Sequence, residues 1–172
     1  MAAAETLKSL KTLLDGIPVR WVLIGALAAN RYRSSPRMTG DVDVLLANFG
    51  KGLEDLELQF KSDGWQVTRA DAEGELLRLV HKTYGTADLL IAGTEFQTLS
   101  IDRAIVETID GELIPVLTQE DVILHKLIAG RYQDLADIEA ILETKPTLDH
   151  AYLDKWLDIW DLRTIWNTLL SD

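Results

Sequence analysis

Cysteine is absent from the 172-residue chain, which excludes disulfide bonds and thiolate metal sites. Long hydrophobic runs are absent too. The longest, from Trp21 to Ala29, contains a glycine and is far shorter than the roughly 18 residues that cross a bilayer. The first ten residues include Glu5 and lack the apolar core of an export signal. These absences predict a cytoplasmic protein with no membrane partner.

Basic residues are scarce, with 17 Lys and Arg against 28 Asp and Glu and a net charge of −11. This balance argues against a protein that coats nucleic acid non-specifically, because such binding depends on many cationic contacts to phosphates. Residues 1–47 are the exception, with six basic and four acidic side chains. Their basic excess lies in Arg31, Arg33 and Arg37, just ahead of an acidic pair at Asp41 and Asp43.

Signatures of several other enzyme classes are missing. The chain has no Gly-x-x-x-x-Gly-Lys loop, no Gly-x-Gly-x-x-Gly turn and no Gly-x-Ser-x-Gly elbow. A P-loop nucleotidase, a Rossmann dehydrogenase and an α/β-hydrolase are therefore not indicated.

Hydrophobic periodicity predicts an α/β portion followed by helices. The predicted strands and helices of the first portion are helix 4–14, strand 20–24, helix 26–33, strand 41–46, helix 50–62, and strands 65–69, 76–82, 86–92, 104–109 and 112–117. Asp110-Gly111 favours a tight hairpin turn. We therefore predict an α/β (α+β) fold with a mixed sheet flanked by helices.

Helical patterns fill the C-terminal part, over residues 118–130, 134–143 and 149–170. Thr118 is a predicted helix start and Asp134 a predicted helix cap, and Trp156, Trp160 and Trp166 are predicted core anchors. We predict a core at 1–117 and a helical portion at 118–172 that closes one side of a cleft, or a single domain over 1–172.

Asp41 and Asp43 open a predicted strand. Residues i and i+2 of a strand face the same side, about 7 Å apart, so both carboxylates project together while Val42 and Val44 enter the core. Adjacent carboxylates repel each other unless a cation neutralises them or water surrounds them. Hard oxygen ligands suit Mg²⁺. The pair is either a magnesium site or two acids at an exposed strand start.

Gly25 lies where a buried strand gives way to a helix. Backbone N–H groups and the helix dipole converge on an anion at such a position, and glycine lets a phosphate approach the main chain closely. The alternative is a glycine required only by a tight turn. The combination of this turn with a second strand that opens on Asp41-Val42-Asp43 favours a phosphate site beside a metal pair.

Two segments resemble a known family. Gly25, followed sixteen residues later by the Asp41-Val42-Asp43 pair, resembles the signature of the DNA polymerase β-like nucleotidyltransferase superfamily. Residues 35–43 (Ser-Pro-Arg-Met-Thr-Gly-Asp-Val-Asp) and 120–137 are similar to segments of AbiEii-like proteins, the toxins of bacterial toxin–antitoxin and abortive-infection systems. The similarity covers roughly residues 20–142.

The resemblance implies a metal-dependent nucleotidyltransferase. Asp41, Asp43 and Asp88 are the implied catalytic and metal-binding carboxylates, for two Mg²⁺ ions or for Mn²⁺. Asp88 is also an acid inside a predicted apolar strand, residues 86–92. The implied nucleotide contacts are Gly25, Ala26, Arg37, Thr39 and Lys126.

The implied reaction moves an NMP from an NTP donor to an acceptor hydroxyl of a tRNA, a protein or a small molecule. An antitoxin protein is an implied partner. Two alternatives stay open. One is an inert member that binds nucleotide or a partner, because the turn has Gly25-Ala26 where many active members have Gly-Ser or Gly-Gly. The other is a glycosyltransferase, whose Asp-x-Asp also holds a metal.

Overall fold

A computed structural model describes residues 2–48, 50, 52–71 and 75–171. In chain order the elements are α1 (Ala2–Leu14), β1 (Trp21–Leu23), α2 (Gly25–Ala29), β2 (Asp41–Leu46), α3 (Gly52–Ser62), β3 (Gln66–Arg69), β4 (Leu76–His81), β5 (Gly85–Ile91), α4 (Glu95–Asp102), β6 (Ile105–Ile109), β7 (Glu112–Val116), α5 (Gln119–Ala129), α6 (Tyr132–Leu142), α7 (His150–Ile159) and α8 (Arg163–Leu169).

The chain forms two compact units. The sheet unit comprises Met1–Ile24 and Met38–Leu117, and the helical unit comprises Gly25–Arg37 and Thr118–Asp172. The short segment with α2 thus groups with the C-terminal helices although strands flank it in the sequence. The division into domains after residue 117 stays a prediction.

One sheet of seven strands runs through the sheet unit, in the order β3-β4-β5-β2-β1-β7-β6. The β2–β5 and β1–β7 pairs are parallel, and the other neighbours are antiparallel. The predicted mixed sheet flanked by helices is therefore confirmed.

Apolar side chains on one face of the central strands build the core of the sheet unit. Val42 and Val44 of β2 and Ala87 and Leu89 of β5 are fully buried, and α1 packs against both strands. Because side chains alternate along a strand, the residues between these four project from the opposite face. That opposite face carries the aspartates.

Helices α2, α5, α6, α7 and α8 make up the helical unit. Thr118 accepts a hydrogen bond from the Asp121 N–H and caps α5, as predicted, and Gly130 ends the helix with a left-handed φ of 62°. Trp156 and Trp166 are buried as predicted, whereas Trp160 is 38% exposed at the end of α7.

The structure corrects several predicted boundaries. The helix predicted over 26–33 ends at Ala29, and α4 was not predicted, although Thr94 and Gln97 form a capping box at its start. Asp110 and Gly111 both have positive φ, as the predicted hairpin turn requires. Position 51 of the predicted third helix lies outside the described residues. Within the described part of the chain, no helix is long and apolar enough to span a bilayer.

Candidate active site

Three aspartates share one face of the central strands. Asp43 of β2 lies directly opposite Asp88 of β5, and Asp41 lies opposite Thr86 in the same parallel register. Neighbouring strands are about 4.8 Å apart, so Asp43 and Asp88 project side by side. We call Asp41, Asp43 and Asp88 the aspartate face. The prediction that Asp88 belongs with the other two thus matches the register of the strands.

Arg78 reaches this face from the next strand. It is the partner of Asp88 in the antiparallel β4–β5 pair. Its Nη1 donates to Asp88 Oδ2 at 2.9 Å, and its Nη2 lies 3.7 Å from Asp41 Oδ2. The Thr86 hydroxyl donates to the other oxygen of Asp41. One guanidinium therefore links two of the three carboxylates.

Asp88 has one buried carboxylate oxygen and one that is paired to Arg78. Its Oδ1 is buried and accepts no hydrogen bond. Burial raises the pKa of the Asp88 carboxyl above its ordinary value, Arg78 opposes this rise, and the nearby charge of Asp41 adds to it. A buried carboxylate oxygen without a partner is costly, which suits a group that receives a proton or a cation.

The donor chemistry of the aspartate face fits a divalent cation, since carboxylate oxygens are the ligands that Mg²⁺ prefers. The Oδ1 of Asp88 is buried, so Oδ2 is the oxygen of Asp88 that a hydrated ion would reach first. However, across residues 2–48, 50, 52–71 and 75–171 no group of three or more acidic, histidine or cysteine side chains is arranged to hold a metal ion. Arg78 instead bridges Asp41 and Asp88.

The predicted phosphate turn has the backbone that its sequence suggests. Gly25 has a φ of 66°, a conformation that residues with a Cβ rarely adopt. Helix α2, which starts at this glycine, is only five residues long, and Ala26 is buried in it. Thr39, in the loop before β2, donates its hydroxyl to the backbone carbonyl of Asp41 at 3.3 Å. The roles of these residues in nucleotide binding stay predictions.

Lys126 lies in a second charged group, inside the helical unit. Its side chain is 5% exposed, and its Nζ donates to Asp134 at 3.1 Å and to Asp137 at 2.6 Å. Arg33 and Arg37 also bind the fully buried Asp137, Arg37 through Nε at 2.8 Å. We call Arg33, Arg37, Lys126, Asp134 and Asp137 the helical charge cluster. The nucleotide contacts of Lys126 and Arg37 stay predictions, and both cations have carboxylate partners.

Two further contacts define this cluster. The Asn30 side chain bonds both the backbone N–H and the carbonyl of Arg37, which fixes the segment after α2. Asp134 does not cap α6 as predicted: the cap position is Arg131, with no side-chain cap bond, and Asp134 instead accepts from Lys126 and Arg131. The prediction failed because the helix begins earlier, at Tyr132.

Comparison with known proteins places the fold. No family model matches the chain, and no curated protein matches it. Several solved structures do. An antigenic nucleotidyltransferase-like protein from Paracoccidioides brasiliensis is 16% identical, with a TM-score of 0.60 over 98% of this chain and 92% of that one.

Two antibiotic-modifying enzymes have the same architecture. The lincosamide antibiotic adenylyltransferase LnuA, bound to lincomycin, is 16% identical with a TM-score of 0.59, over 80% of this chain and 94% of that one. ANT(2")-Ia, in complex with adenylyl-2"-tobramycin, is 11% identical with a TM-score of 0.64, over 95% of this chain and 99% of that one. The fold of this chain is therefore the nucleotidyltransferase fold.

Proposed function

We propose that the protein transfers a nucleoside monophosphate from an NTP to an acceptor hydroxyl. The observation that carries the proposal is the shared face of β2 and β5, where Asp43 and Asp88 are register partners and Asp41 lies one pleat away. The nucleotidyltransferase fold of the solved neighbours supports it.

Asp41 and Asp43 would hold divalent ions in this reaction, with Asp88 completing the site. Bound Mg²⁺ would supply charge neutralisation for the triphosphate and the leaving pyrophosphate. Asp88 would take the proton of the acceptor hydroxyl. The hydroxyl oxygen would attack the α-phosphorus of the NTP, and the bond between that phosphorus and the leaving pyrophosphate would break. The raised pKa of Asp88 favours this role, because a base works best when its pKa approaches the working pH.

Gly25, Ala26 and Thr39 each stay predicted contacts of the triphosphate. Arg37 and Lys126 stay predicted phosphate contacts, although their bonds to Asp137 favour a role in holding the helical unit together. The nucleotidyltransferase fold of the solved neighbours favours nucleotide transfer over the glycosyltransferase alternative.

The acceptor is proposed by class. Two neighbours are bound to lincomycin or to an adenylylated tobramycin, which supports a small molecule with hydroxyl groups. The similarity of residues 35–43 and 120–137 to AbiEii-like proteins supports a toxin that modifies a tRNA or a protein and is neutralised by an antitoxin. Growth arrest on expression in bacteria, relieved by the product of the adjacent gene, would support the toxin role.

The test is transfer of label from each α-labelled NTP, with Mg²⁺, to tRNA, to protein and to hydroxyl-bearing antibiotics. Asp41→Asn and Asp43→Asn should each lower transfer by roughly 10²–10³-fold or more, because charge stabilisation at the phosphates is lost. Asp102→Asn is the matched control: Asp102 is 47% exposed and paired to Arg20, much as Asp41 is 46% exposed and paired to Arg78. Unchanged transfer by both site variants would refute the mechanism. Nucleotide binding without any transfer would favour the inert alternative.

A further inference from the structure

Arg78 is a charged residue on a strand whose neighbours in the chain are apolar, Leu77 and Leu79 both being fully buried. Its side chain projects to the opposite face of the sheet and is 44% exposed. There it contacts Asp41 and Asp88, two of the three residues of the aspartate face. Nothing in the proposed reaction uses this arginine.

We propose that Arg78 is the resident counter-ion of the aspartate face and that a divalent ion binds there only by displacing its guanidinium. This inference rests on the proposed function, since it concerns the same metal site. Arg78 is a positioning residue: it sets the arrangement of the carboxylates before the ion arrives.

The contacts of the carboxylate oxygens show why the two cations compete. Arg78 engages Oδ2 of Asp88 and lies near Oδ2 of Asp41. Mg²⁺ binds carboxylate oxygens at about 2.0–2.1 Å, so it needs those oxygens for itself. A guanidinium within 4 Å of the same oxygens would also repel the ion.

The other contacts of the aspartate face allow a divalent ion to replace the Arg78 guanidinium. The Thr86 hydroxyl holds one oxygen of Asp41, so the remaining oxygen faces Arg78. The Arg78 side chain is long and partly solvated, so it can rotate away while its backbone stays paired with Asp88 in the sheet. Displacement therefore requires no change in the strands.

The arrangement also explains why the described residues contain three aspartates on one face but no ready metal cluster. Without an ion, three carboxylates close together would repel one another. Arg78 offsets part of that repulsion and draws Asp41 and Asp88 toward itself. Removing its charge should therefore strengthen metal binding and weaken the ion-free protein.

The test is titration of the full chain with Mn²⁺ alone. The electron paramagnetic resonance signal of free Mn²⁺ measures the Kd. Arg78→Gln should bind Mn²⁺ about 10- to 100-fold more tightly than the wild type, since a nearby positive charge is removed. Arg78→Lys, which keeps a charge but loses the planar fork, should fall between the two. Arg69→Gln is the control, because Arg69 on β3 is similarly exposed and paired to Glu57.

A second measurement separates displacement from a general change in charge. In thermal melts, the Tm of Arg78→Gln should be lower than that of the wild type in EDTA. Addition of Mn²⁺ should raise the Tm of Arg78→Gln more than that of the wild type. Equal Mn²⁺ affinity in wild type and Arg78→Gln, or weaker binding by the variant, would overturn this inference and leave the proposed function standing. Absence of Mn²⁺ binding in every variant would overturn both.

Discussion

The aspartate face and the helical charge cluster are both built from aspartates and basic residues, but in opposite proportions. Three carboxylates share the strand face, and Arg78 contacts two of them. In the helical charge cluster, Lys126, Arg33 and Arg37 all converge on the single carboxylate of Asp137. The first group is partly exposed, whereas the second is buried and has more cations than carboxylates.

The difference shows that an aspartate can stabilise the fold in one environment and suit ion binding in another. A buried carboxylate surrounded by cations, such as Asp137, stabilises the packing of the segments that carry those cations. Removing the carboxylate leaves the cations without a partner where water solvates them poorly. A half-exposed group of carboxylates is better solvated, so its ion pairs stabilise less, and it is suited to taking up an ion. The pKa values agree: that of Asp137 is lowered and that of Asp88 is raised.

The largest expected effect is on stability. Asp137→Asn should lower the free energy of unfolding by about 3–5 kcal/mol, because it leaves three cations around a neutral amide. Asp88→Asn should leave stability unchanged or raise it without metal, since it removes a carboxylate with an unpartnered oxygen. Urea denaturation in EDTA measures both. Equal losses in the two variants would show that the contrast between the groups is wrong.

A smaller effect is expected in acid. Burial alone would raise the pKa of Asp137, but hydrogen bonds from Arg37 and Lys126 outweigh it and lower the pKa to about 2. A carboxyl with a depressed folded pKa stabilises the protein fully above its unfolded pKa of about 3.9, and this contribution is lost as the pH falls through 2.

The stability difference between wild type and Asp137→Asn should therefore narrow by about 2 kcal/mol between pH 5 and pH 2. Urea midpoints at intermediate pH values measure this narrowing. A difference that stays constant over the range would mean that the pKa of Asp137 is not depressed.

The smallest expected effect lies at the edge of the same cluster. Arg131 bonds Asp134 at 2.6 Å, but its side chain is 78% exposed. Arg131→Ala should cost only about 0–1 kcal/mol, because water screens an exposed ion pair, and added salt should shrink the loss further. Lys126→Met, which removes the buried cation between two aspartates, is the comparison and should cost several times more. Similar losses would mean that burial does not decide the energetics of the cluster.

The sequence predicts the Asp41 and Asp43 part of the aspartate face because that pattern is local, whereas the place of Asp88 beside them was implied by the family resemblance. The spacing of Asp41 and Asp43 puts both on one side of a strand, and Asp88 is an unusual acid inside an apolar strand. Arg78 was missed because its contact depends on the β4–β5 register, which no local pattern specifies. A single arginine between two buried leucines equally suits a strand face exposed to water.

The helical charge cluster was hidden for a related reason. Lys126 and Asp137 lie on different helices, separated by the end of α5 at Gly130, so their pairing depends on helix packing. Asp134 resembles a cap in the sequence because cap preference is a short-range rule. Helix α4 is different: Thr94 and Gln97 have the spacing of a capping box, and that signal was available.

The grouping of α2 with the C-terminal helices has a consequence for how the polypeptide can be cut. The chain passes from one unit to the other after Ile24, returns at Met38 and leaves again after Leu117. A fragment that stops at Leu117 would keep the buried alanines of α2 but lose α5 and α6, against which that helix packs. The helical unit is built from two separate segments of the chain, one of which lies between segments of the sheet unit. A single proteolytic cleavage therefore cannot release the sheet unit intact.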